Sequence, residues 1–401
     1  MSFDGLWADL EGVGRDARTG GYRRFAWTLT DHTLREWFAG EAARRGLDLV
    51  EDRAGNQWAW WGDPDATPGV VTGSHLDSVP DGGAYDGPLG VVSAFAALDA
   101  LRAQGFVPTR PVGVVNFVDE EGARFGVACA GSRLITGVLE ADRALGLVDA
   151  DGTTLAEALR QAGRRPEDLG PDPEALRRVA TFVELHVEQG GERGSRLVDR
   201  DRAVGVASGI WPHGRWRVDL PGAANHAGTT ALDDRDDALL AATLVVQEAR
   251  RAAEHHSCVA TVGKLVVEPG GVNAVPSHVT AWLDARGADE RAVHAAVEQV
   301  AAAAGRAGGT FRQESWTPPT TFDPTLAGRL GALLDGAPLL ATGAGHDAGI
   351  LANAGVPTAM LFVRNPTGVS HAPSERAERD DCLAGVDALT QVLADLAGAS
   401  A

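Results

Sequence analysis

Four segments of this chain share one pattern: an apolar run typical of a buried β-strand leads into side chains that bind divalent metals. The segments are VVTGSHLDSVPDGGAYDGPLG (71–90), VDEEG (118–122), VELHVEQG (183–190) and GVSHAPSE (368–375). Their candidate ligands are His75, Asp86, Glu120, Glu121, His186 and His371. Because functional groups in open α/β sheets collect where the strands end, we expect these distant segments to meet at one edge of a sheet.

The rest of the chain supports such a sheet, because β-like runs alternate with helical patterns. This alternation predicts an α/β fold in which helices flank a mixed sheet. In chain order, the predicted elements are a helix over 31–45 with Asp31 as its N-cap, strands at 57–61 and 69–72, a helix over about 89–104, strands at 111–120 and 179–187, a helix over 325–334, a strand at 357–363 and a helix over 380–397.

Residues 206–321 interrupt this alternation with a pattern of their own. Their order of elements is βαββαβ, which predicts a small ferredoxin-like α+β domain inserted into the larger one. TPPTTFDP (317–324) indicates a proline-rich hinge at its end. We therefore expect one domain over residues 1–205 and 322–401, and a second over 206–321. The elements of the insert are strands at 215–220, 258–267, 278–286 and 310–316 and helices at about 234–253 and 289–304.

Charge and composition exclude several classes of protein. The formal net charge of −19 at pH 7 leaves no basic stripe of the kind that nucleic-acid phosphates require. No apolar run of about 18 residues predicts a membrane span, and no signal peptide is visible. Cys129, Cys258 and Cys382 form no CxxC pair, so we expect them to be reduced and structural. These features predict a cytoplasmic enzyme without nucleic-acid or membrane partners.

The candidate ligands indicate which metals the site would take. Mixed imidazole and carboxylate ligands suit Zn²⁺, Mn²⁺ or Co²⁺ better than Ca²⁺ or Mg²⁺. Two ions held close together need a bridging carboxylate, for which Asp86 in its glycine-rich loop is the candidate. Of Glu120 and Glu121, one can bind metal while the other acts as general base, and spacing alone does not assign them. Asp77 is either another ligand or, as we favour, the residue that orients His75.

Five motifs resemble the M20 metallopeptidase family, and within it the amidase branch: GSHLDSVPDGGAYDGPLGV, DEEGARFG, ELHVEQG, HAGTT and SHAPSE. The resemblance covers nearly the whole chain. It implies a catalytic domain with two divalent ions, interrupted by a lid and dimerisation domain, and therefore a homodimer. It also implies that Glu120 is the general base and that Asp86 bridges the metals. The implied metal ligands are His75, Asp86, Glu121, His186 and His371.

The same resemblance assigns residues that face the substrate. His226 matches a lid histidine that stabilises the oxyanion in the partner's active site; otherwise it orders its own turn. Gln189 matches the amide that holds the ureido end of the substrate, or else it caps a strand end. Asn273 and Arg286 match positions that bind the substrate carboxylate, although Arg286 taken alone is more typical of a surface salt bridge. A guanidinium grips a carboxylate through two parallel hydrogen bonds.

The implied activity is hydrolysis of a terminal ureido or amide group on a small carboxylate, with allantoate as the first candidate. Arg215 favours allantoate, because it falls where allantoate hydrolases have an arginine. The alternatives are an N-carbamoyl-L-amino-acid hydrolase or ureidopropionase, then an N-acyl amino acid hydrolase, a dipeptidase, or a silent binding protein with the same fold. TTALDDRDDA (229–238) and IWPHGRW (210–216) depart from the family pattern, so substrate identity is the least constrained property. His346 and Asp347 in GAGHDAG are expected to be structural or to support the ligands.

Overall fold

The computed structural model describes residues 2–191 and 194–398. It divides into two compact units. One contains the described residues up to Gly209 and those from Thr321 onward, and the other is Ile210–Thr320. Among the helices so described, none is both long and apolar enough to cross a membrane.

The first unit contains ten α-helices in its described part and one mixed sheet. Its helices are α1 (Phe3–Glu11), α2 (Leu29–Arg44), α3 (Pro88–Ala103), α4 (Ala130–Ile135), α5 (Ala141–Leu145), α6 (Leu155–Gln161), α7 (Pro173–Arg177), α10 (Pro324–Leu333), α11 (Asp347–Asn353) and α12 (Arg379–Ala397). Its strands are β1 (Asp48–Glu51), β2 (Gln57–Trp61), β3 (Gly69–His75), β4 (Val112–Phe117), β5 (Val179–Val187), β6 (Val204–Ile210), β13 (Thr320–Thr321), β14 (Leu339–Thr342) and β15 (Thr358–Val363).

The sheet of this unit has the strand order β1-β2-β4-β3-β5-β15-β6-β13, with β14 paired to β6. Its centre is parallel, since β3 pairs with β4 and β5, and β5 pairs with β15, in parallel. On either side of this centre the pairing is antiparallel, since β2 pairs with β4 and β6 pairs with β15. Every residue of β3 and β4 is buried, as expected for parallel strands covered on both faces. The predicted mixed α/β fold is confirmed.

The second unit has the ferredoxin-like order of elements. In chain order it contains β7 (His213–Pro221), β8 (Asn225–His226), α8 (Ala238–His256), β9 (Val259–Glu268), β10 (Ala274–Val275), β11 (His278–Arg286), α9 (Glu290–Arg306) and β12 (Thr310–Thr317). Its four-stranded sheet is ordered β12-β7-β11-β9, and β8 pairs with β10 in a separate ribbon. Apolar faces of α8 and α9 pack against this sheet. Its role as a lid and dimerisation domain stays a prediction.

The helix and hinge predictions differ from the structure in two places. Asp31 was wrongly predicted as the N-cap of α2. Thr28 has the extended backbone of a cap and its side chain accepts the Asp31 N–H, whereas Asp31 lies in the first turn and accepts the Trp27 N–H. The proline-rich segment 317–324 is not wholly a hinge, because Thr320 and Thr321 form the short strand β13 against β6.

Gly73 lies in the central strand β3, two residues before His75, and only glycine fits there. Its φ is +144°, a value that residues with a Cβ rarely adopt. It pairs with Val115 of β4, and a Cβ at this position would come within 2.0 Å of the Val115 carbonyl oxygen. A side chain at Gly73 would therefore push apart the two strands that lead into the predicted metal ligands.

We predict that Gly73→Ala lowers the free energy of unfolding by more than about 3 kcal/mol, because it combines backbone strain with overlap against β4. Gly12→Ala is the control, since Gly12 has an ordinary φ of −87° and nothing lies within 4 Å of an added Cβ. It should change stability by less than about 1 kcal/mol. Urea unfolding followed by circular dichroism measures both, and equal midpoints for the two variants would contradict the steric requirement for glycine at position 73.

Candidate metal centre

The carboxyl ends of the parallel strands bring the predicted ligands to one edge of the first sheet. His75 is the last residue of β3, and the acidic pair Glu120 and Glu121 follows β4. His186 is the penultimate residue of β5 and is in register with Phe362 of β15. The chain that leaves β15 continues to His371. The structure thus joins four segments that are far apart in the sequence.

The buried carboxylate of Asp86 lies at the centre of these side chains. Its Oδ1 is 3.2 Å from Nε2 of His186 and 3.6 Å from Nε2 of His75. Its Oδ2 is 3.3 Å from Nε2 of His371, which in turn lies 3.5 Å from Oε2 of Glu121. Asp86 therefore belongs to two groups whose ligand atoms are within 4.8 Å of one another, His75–Asp86–His186 and Asp86–Glu121–His371.

Several candidate ligand atoms in these groups are buried and have no hydrogen-bond partner in the described part of the chain, as atoms that bind a cation would. Nε2 of His75, Nε2 of His186 and Oε1 of Glu121 are buried and have no hydrogen-bond partner among the described residues. The opposite ring nitrogens face backbone carbonyls, since Nδ1 of His75 lies 3.2 Å from the Asp77 oxygen and Nδ1 of His186 lies 3.0 Å from that of Val187. When Nδ1 carries the hydrogen, each Nε2 would offer its lone pair to a cation beside Asp86. The residues present fit two divalent cations that share one carboxylate.

The charged groups at this centre change one another's pKa values. Burial raises the pKa of Asp86, but His186, His371 and His75 outweigh it and hold that pKa well below its usual range. Burial, together with the nearby Asp86 charge, raises the pKa of Glu121 to about 7. Crowded carboxylates of this kind are stabilised by a cation, which is the largest local charge in such a site.

Asp77 supports the site through its own carboxylate and backbone. Oδ1 accepts the N–H of Glu120 at 3.1 Å, and Oδ2 accepts that of Glu121 at 3.0 Å. Nδ1 of His75 lies 3.4 Å from Oδ1. Asp77 belongs to neither group of candidate ligands and fixes both acidic residues and one histidine, which is the orienting role favoured above.

Glu120 lies beside the two ligand groups and belongs to neither. It is buried, and its Oε2 is 3.8 Å from Nε2 of His75. Burial raises the pKa of Glu120 well above its usual value, and the opposing charge of His75 does not cancel this effect. A carboxyl group with a raised pKa is suited to take up a proton and to return it near neutral pH.

A second set of contacts holds the loop that carries Asp86. Oε1 of Glu375 accepts the N–H groups of Tyr85 and Asp86, at 2.9 and 3.0 Å. The Ser370 hydroxyl lies 3.2 Å from Asp86 Oδ2 and 2.9 Å from Glu375 Oε2, and Nε2 of Gln189 donates to Asp86 Oδ2 at 2.8 Å. Gln189, expected to hold substrate, contacts the shared carboxylate here. No role was predicted for Glu375, and its place in SHAPSE was the only signal in the sequence.

Gly83 and Gly87 allow the Asp86 loop to approach its neighbours closely. A Cβ on Gly87, whose φ is +84°, would lie 2.5 Å from the ring of His75. A Cβ on Gly83 would lie 2.3 Å from the Glu375 carboxylate. In the glycine-rich loop that carries Asp86, these two positions thus have a steric requirement for glycine that is visible in the structure.

Beneath the ligands lies a layer of buried polar side chains that includes His346 and Asp347. Glu184, His186 and His346 form a further compact group. Glu184 accepts hydrogen bonds from the Ser74 hydroxyl at 2.7 Å and from the Ala348 N–H at 3.2 Å, which explain its burial without an ion. Burial raises the pKa of Asp347 to about 8. Its carboxylate accepts the Ser132 hydroxyl, consistent with a supporting role.

The predicted oxyanion residue, His226, lies in the ribbon of the second unit beside Asn273. His226 pairs with Ala274, and the N–H of Ala227 donates to the carbonyl oxygen of Asn273 at 2.9 Å. The imidazole is exposed, and its Nδ1 accepts the N–H of Gly228 at 3.0 Å. This bond places the hydrogen of the neutral ring on Nε2, the atom that can donate to an oxyanion.

Arg215 and Arg286 lie on neighbouring strands of the second unit and share Asp284. Arg286 donates to both carboxylate oxygens of Asp284, at 2.6 to 2.8 Å. Arg215 is opposite Asp284 in the β7–β11 register and lies 3.5 Å from it. The two guanidinium groups predicted to bind substrate therefore form one cluster, with a carboxylate between them.

Comparisons with known proteins agree with this geometry. The model of peptidase family M20/M25/M40 matches residues 71–395. An N-carbamoyl-L-amino acid amidohydrolase from Geobacillus stearothermophilus is 35% identical, over 98% of this chain and 98% of the relative. The allantoate amidohydrolase of Escherichia coli K12 is 31% identical, over 97% and 96%. The crystal structure of a hydantoinase/carbamoylase family amidase from Burkholderia vietnamiensis gives a TM-score of 0.90 at 31% identity, over 99% and 97%. The chain therefore belongs to peptidase family M20/M25/M40, in its hydantoinase/carbamoylase amidase branch, and is a hydrolase of carbon–nitrogen bonds other than peptide bonds.

Proposed function

We propose that this protein is a metal-dependent amidohydrolase that removes the terminal carbamoyl group of a small ureido carboxylate, with allantoate as the first candidate. The observation that carries the proposal is the position of Asp86 between two groups of ligands, with Glu120 beside both. Two divalent ions, Zn²⁺ or Mn²⁺ or else Co²⁺, are the proposed cofactors. They would be held by His75, Asp86, Glu121, His186 and His371.

In the proposed reaction, Glu120 transfers a proton from the attacking water to the leaving nitrogen. When bound, the ions would supply Lewis-acid polarisation of the carbonyl and a nucleophilic water at neutral pH. Glu120 removes a proton as the water attacks, His226 donates a hydrogen bond to the developing oxyanion, and Glu120 returns the proton to the leaving nitrogen. A ureido group and one water then give an amine, carbon dioxide and ammonia.

We predict that Glu120→Gln reduces turnover by at least about 100-fold, because the amide cannot accept the proton. It should still bind two metal ions per chain, since Glu120 lies outside both ligand groups. Glu121→Gln is the matched control and should lose metal. Ammonia release and metal content by mass spectrometry measure both variants, and near-normal turnover by Glu120→Gln would remove this residue from the role.

The choice of allantoate depends on Arg215. This arginine joins Arg286 around Asp284, and this pair of guanidinium groups supports a role in binding the substrate carboxylate. The N-carbamoyl-L-amino acids are the second candidates, since the relative from Geobacillus stearothermophilus, at 35% identity, is named for them. Both classes carry a carboxylate and a terminal ureido group, so they would use the same Glu120 chemistry.

A substrate panel on Mn²⁺- and Zn²⁺-loaded protein should show a higher kcat/KM for allantoate than for N-carbamoyl-L-amino acids. Arg215→Ala should lower kcat/KM for allantoate about tenfold or more, through the loss of a charged hydrogen bond. Arg217→Ala is the control, because Arg217 is two residues along the same strand and has its own aspartate, Asp219. If the N-carbamoyl amino acids are turned over better and Arg215→Ala is neutral, the second candidate replaces the first.

We further propose that the enzyme is a homodimer assembled through the second unit. The strand β9 is the last in its sheet order and is mostly exposed, with Leu265 and Val266 each 43% exposed. On α8, Leu240 and Leu244 are 64% and 63% exposed and lie one helical turn apart. The edge of β9 could pair with β9 of a second copy around a two-fold axis, and the exposed apolar face of α8 could pack against the α8 of that copy.

Sedimentation should show the wild type as a dimer and the variant Leu240→Glu/Leu244→Glu as a monomer. The monomer should lose activity, because His226 is proposed to act in the active site of the partner subunit. Leu29→Glu is the control, since Leu29 is a leucine of the first unit that is 84% exposed. A fully active monomer would overturn the proposed assembly.

A further inference from the structure

We propose that Cys129 is a positioning residue that holds the carboxylate of Glu120 through its thiol, an inference that rests on the function proposed above. Its Sγ lies 3.4 Å from Oε1 of Glu120, within hydrogen-bond distance for sulfur. Among the described residues, this thiol is the one group that donates a hydrogen bond to that carboxylate. The nearby His75 ring nitrogen is 3.8 Å from the other oxygen.

The backbone around Cys129 fixes the thiol at this place. The N–H of Cys129 donates to the carbonyl oxygen of Glu120, that of Ala130 to Asp119, and that of Gly131 to Val118. The start of α4 is thus clamped along the segment that carries the general base. Asp77 holds the same segment from the other side, through the N–H of Glu120. The peptide of Glu120 is therefore fixed twice, and the thiol fixes its side chain.

Backbone conformation shows that this placement is imposed by the surroundings. Cys129 has a φ of +53°, in the left-handed region that non-glycine residues rarely adopt, and Asp119 beside Glu120 has a φ of +55°. Such conformations are costly and persist where the surrounding structure over-determines them, often at active sites. Cys129 is also 3% exposed, so its thiol makes its hydrogen bond without competition from bulk water.

The contact with Glu120 gives a role to Cys129, which the sequence alone predicted to be structural. Without its thiol donor, the Glu120 carboxylate could turn about its own side-chain bonds, and a general base must lie within hydrogen-bond reach of the proton that it takes. The effect expected is on the chemical step, since neither metal ligation nor substrate contact involves Cys129. A displaced base lowers kcat while leaving KM and metal content near their wild-type values.

The test compares Cys129→Ala with Cys129→Ser and with Cys382→Ala. Alanine removes the donor, serine keeps one, and both retain a Cβ at the positive φ. Cys382 is a buried cysteine of α12, 1% exposed, and controls for the loss of an interior thiol. We expect Cys129→Ala to lower kcat about tenfold with KM within about twofold, and Cys129→Ser to recover most of the loss. Cys382→Ala should keep the wild-type kcat.

Two outcomes would overturn the inference: a folded, metal-loaded Cys129→Ala with wild-type kcat, or a serine variant as impaired as alanine. Should the alanine variant fail to fold, Cys129→Gly removes the thiol and relieves the positive φ, and the same criteria apply. A crystal structure of the variant gives a readout that needs no activity, since the Glu120 carboxylate should leave its wild-type position. A wild type that releases no ammonia from any ureido substrate would instead defeat the proposed function.

Discussion

The charge of Asp86 sets the main constraint on this candidate metal centre. Asp86 is only 6% exposed, and a buried charge is costly unless it is paired and hydrogen-bonded. His75 and His186 face one of its oxygens, and His371 faces the other. Glu375 holds its backbone from a distant part of the chain. Asp86 belongs to both groups of candidate ligands because each of its carboxylate oxygens faces a different group. The chemistry proposed for the centre depends on this placement.

Much of this arrangement could be predicted from local sequence. Strand β5 runs over Val179–Val187 as expected, because a largely apolar run that is followed by polar residues is typical of a covered parallel strand. Once β3, β4, β5 and β15 are assigned as parallel strands, their carboxyl ends must share an edge. The convergence of His75, His186 and the residues after β4 then follows from sheet geometry. The assignment of roles to Glu120 and Glu121 came from the family resemblance.

Contacts between distant residues could not be predicted from the sequence. Glu375 and Asp86 are 289 positions apart, and no periodic pattern connects an acidic side chain with the backbone that it will hold. The thiol of Cys129 reaches Glu120 only because α4 folds back along the end of β4. The cap of α2 was misassigned because Thr28 and Asp31 are both good capping residues, and the choice depends on backbone angles that sequence does not specify.

The most direct test of the two-metal centre is anomalous diffraction from crystals of the Mn²⁺-loaded protein. We expect two peaks per chain that share Asp86, one against His75 and His186 and the other against Glu121 and His371. Such peaks would locate both ions independently of any substrate or assay. A single peak away from Asp86, or no peak at this edge of the sheet in metal-replete crystals, would contradict the two-metal centre.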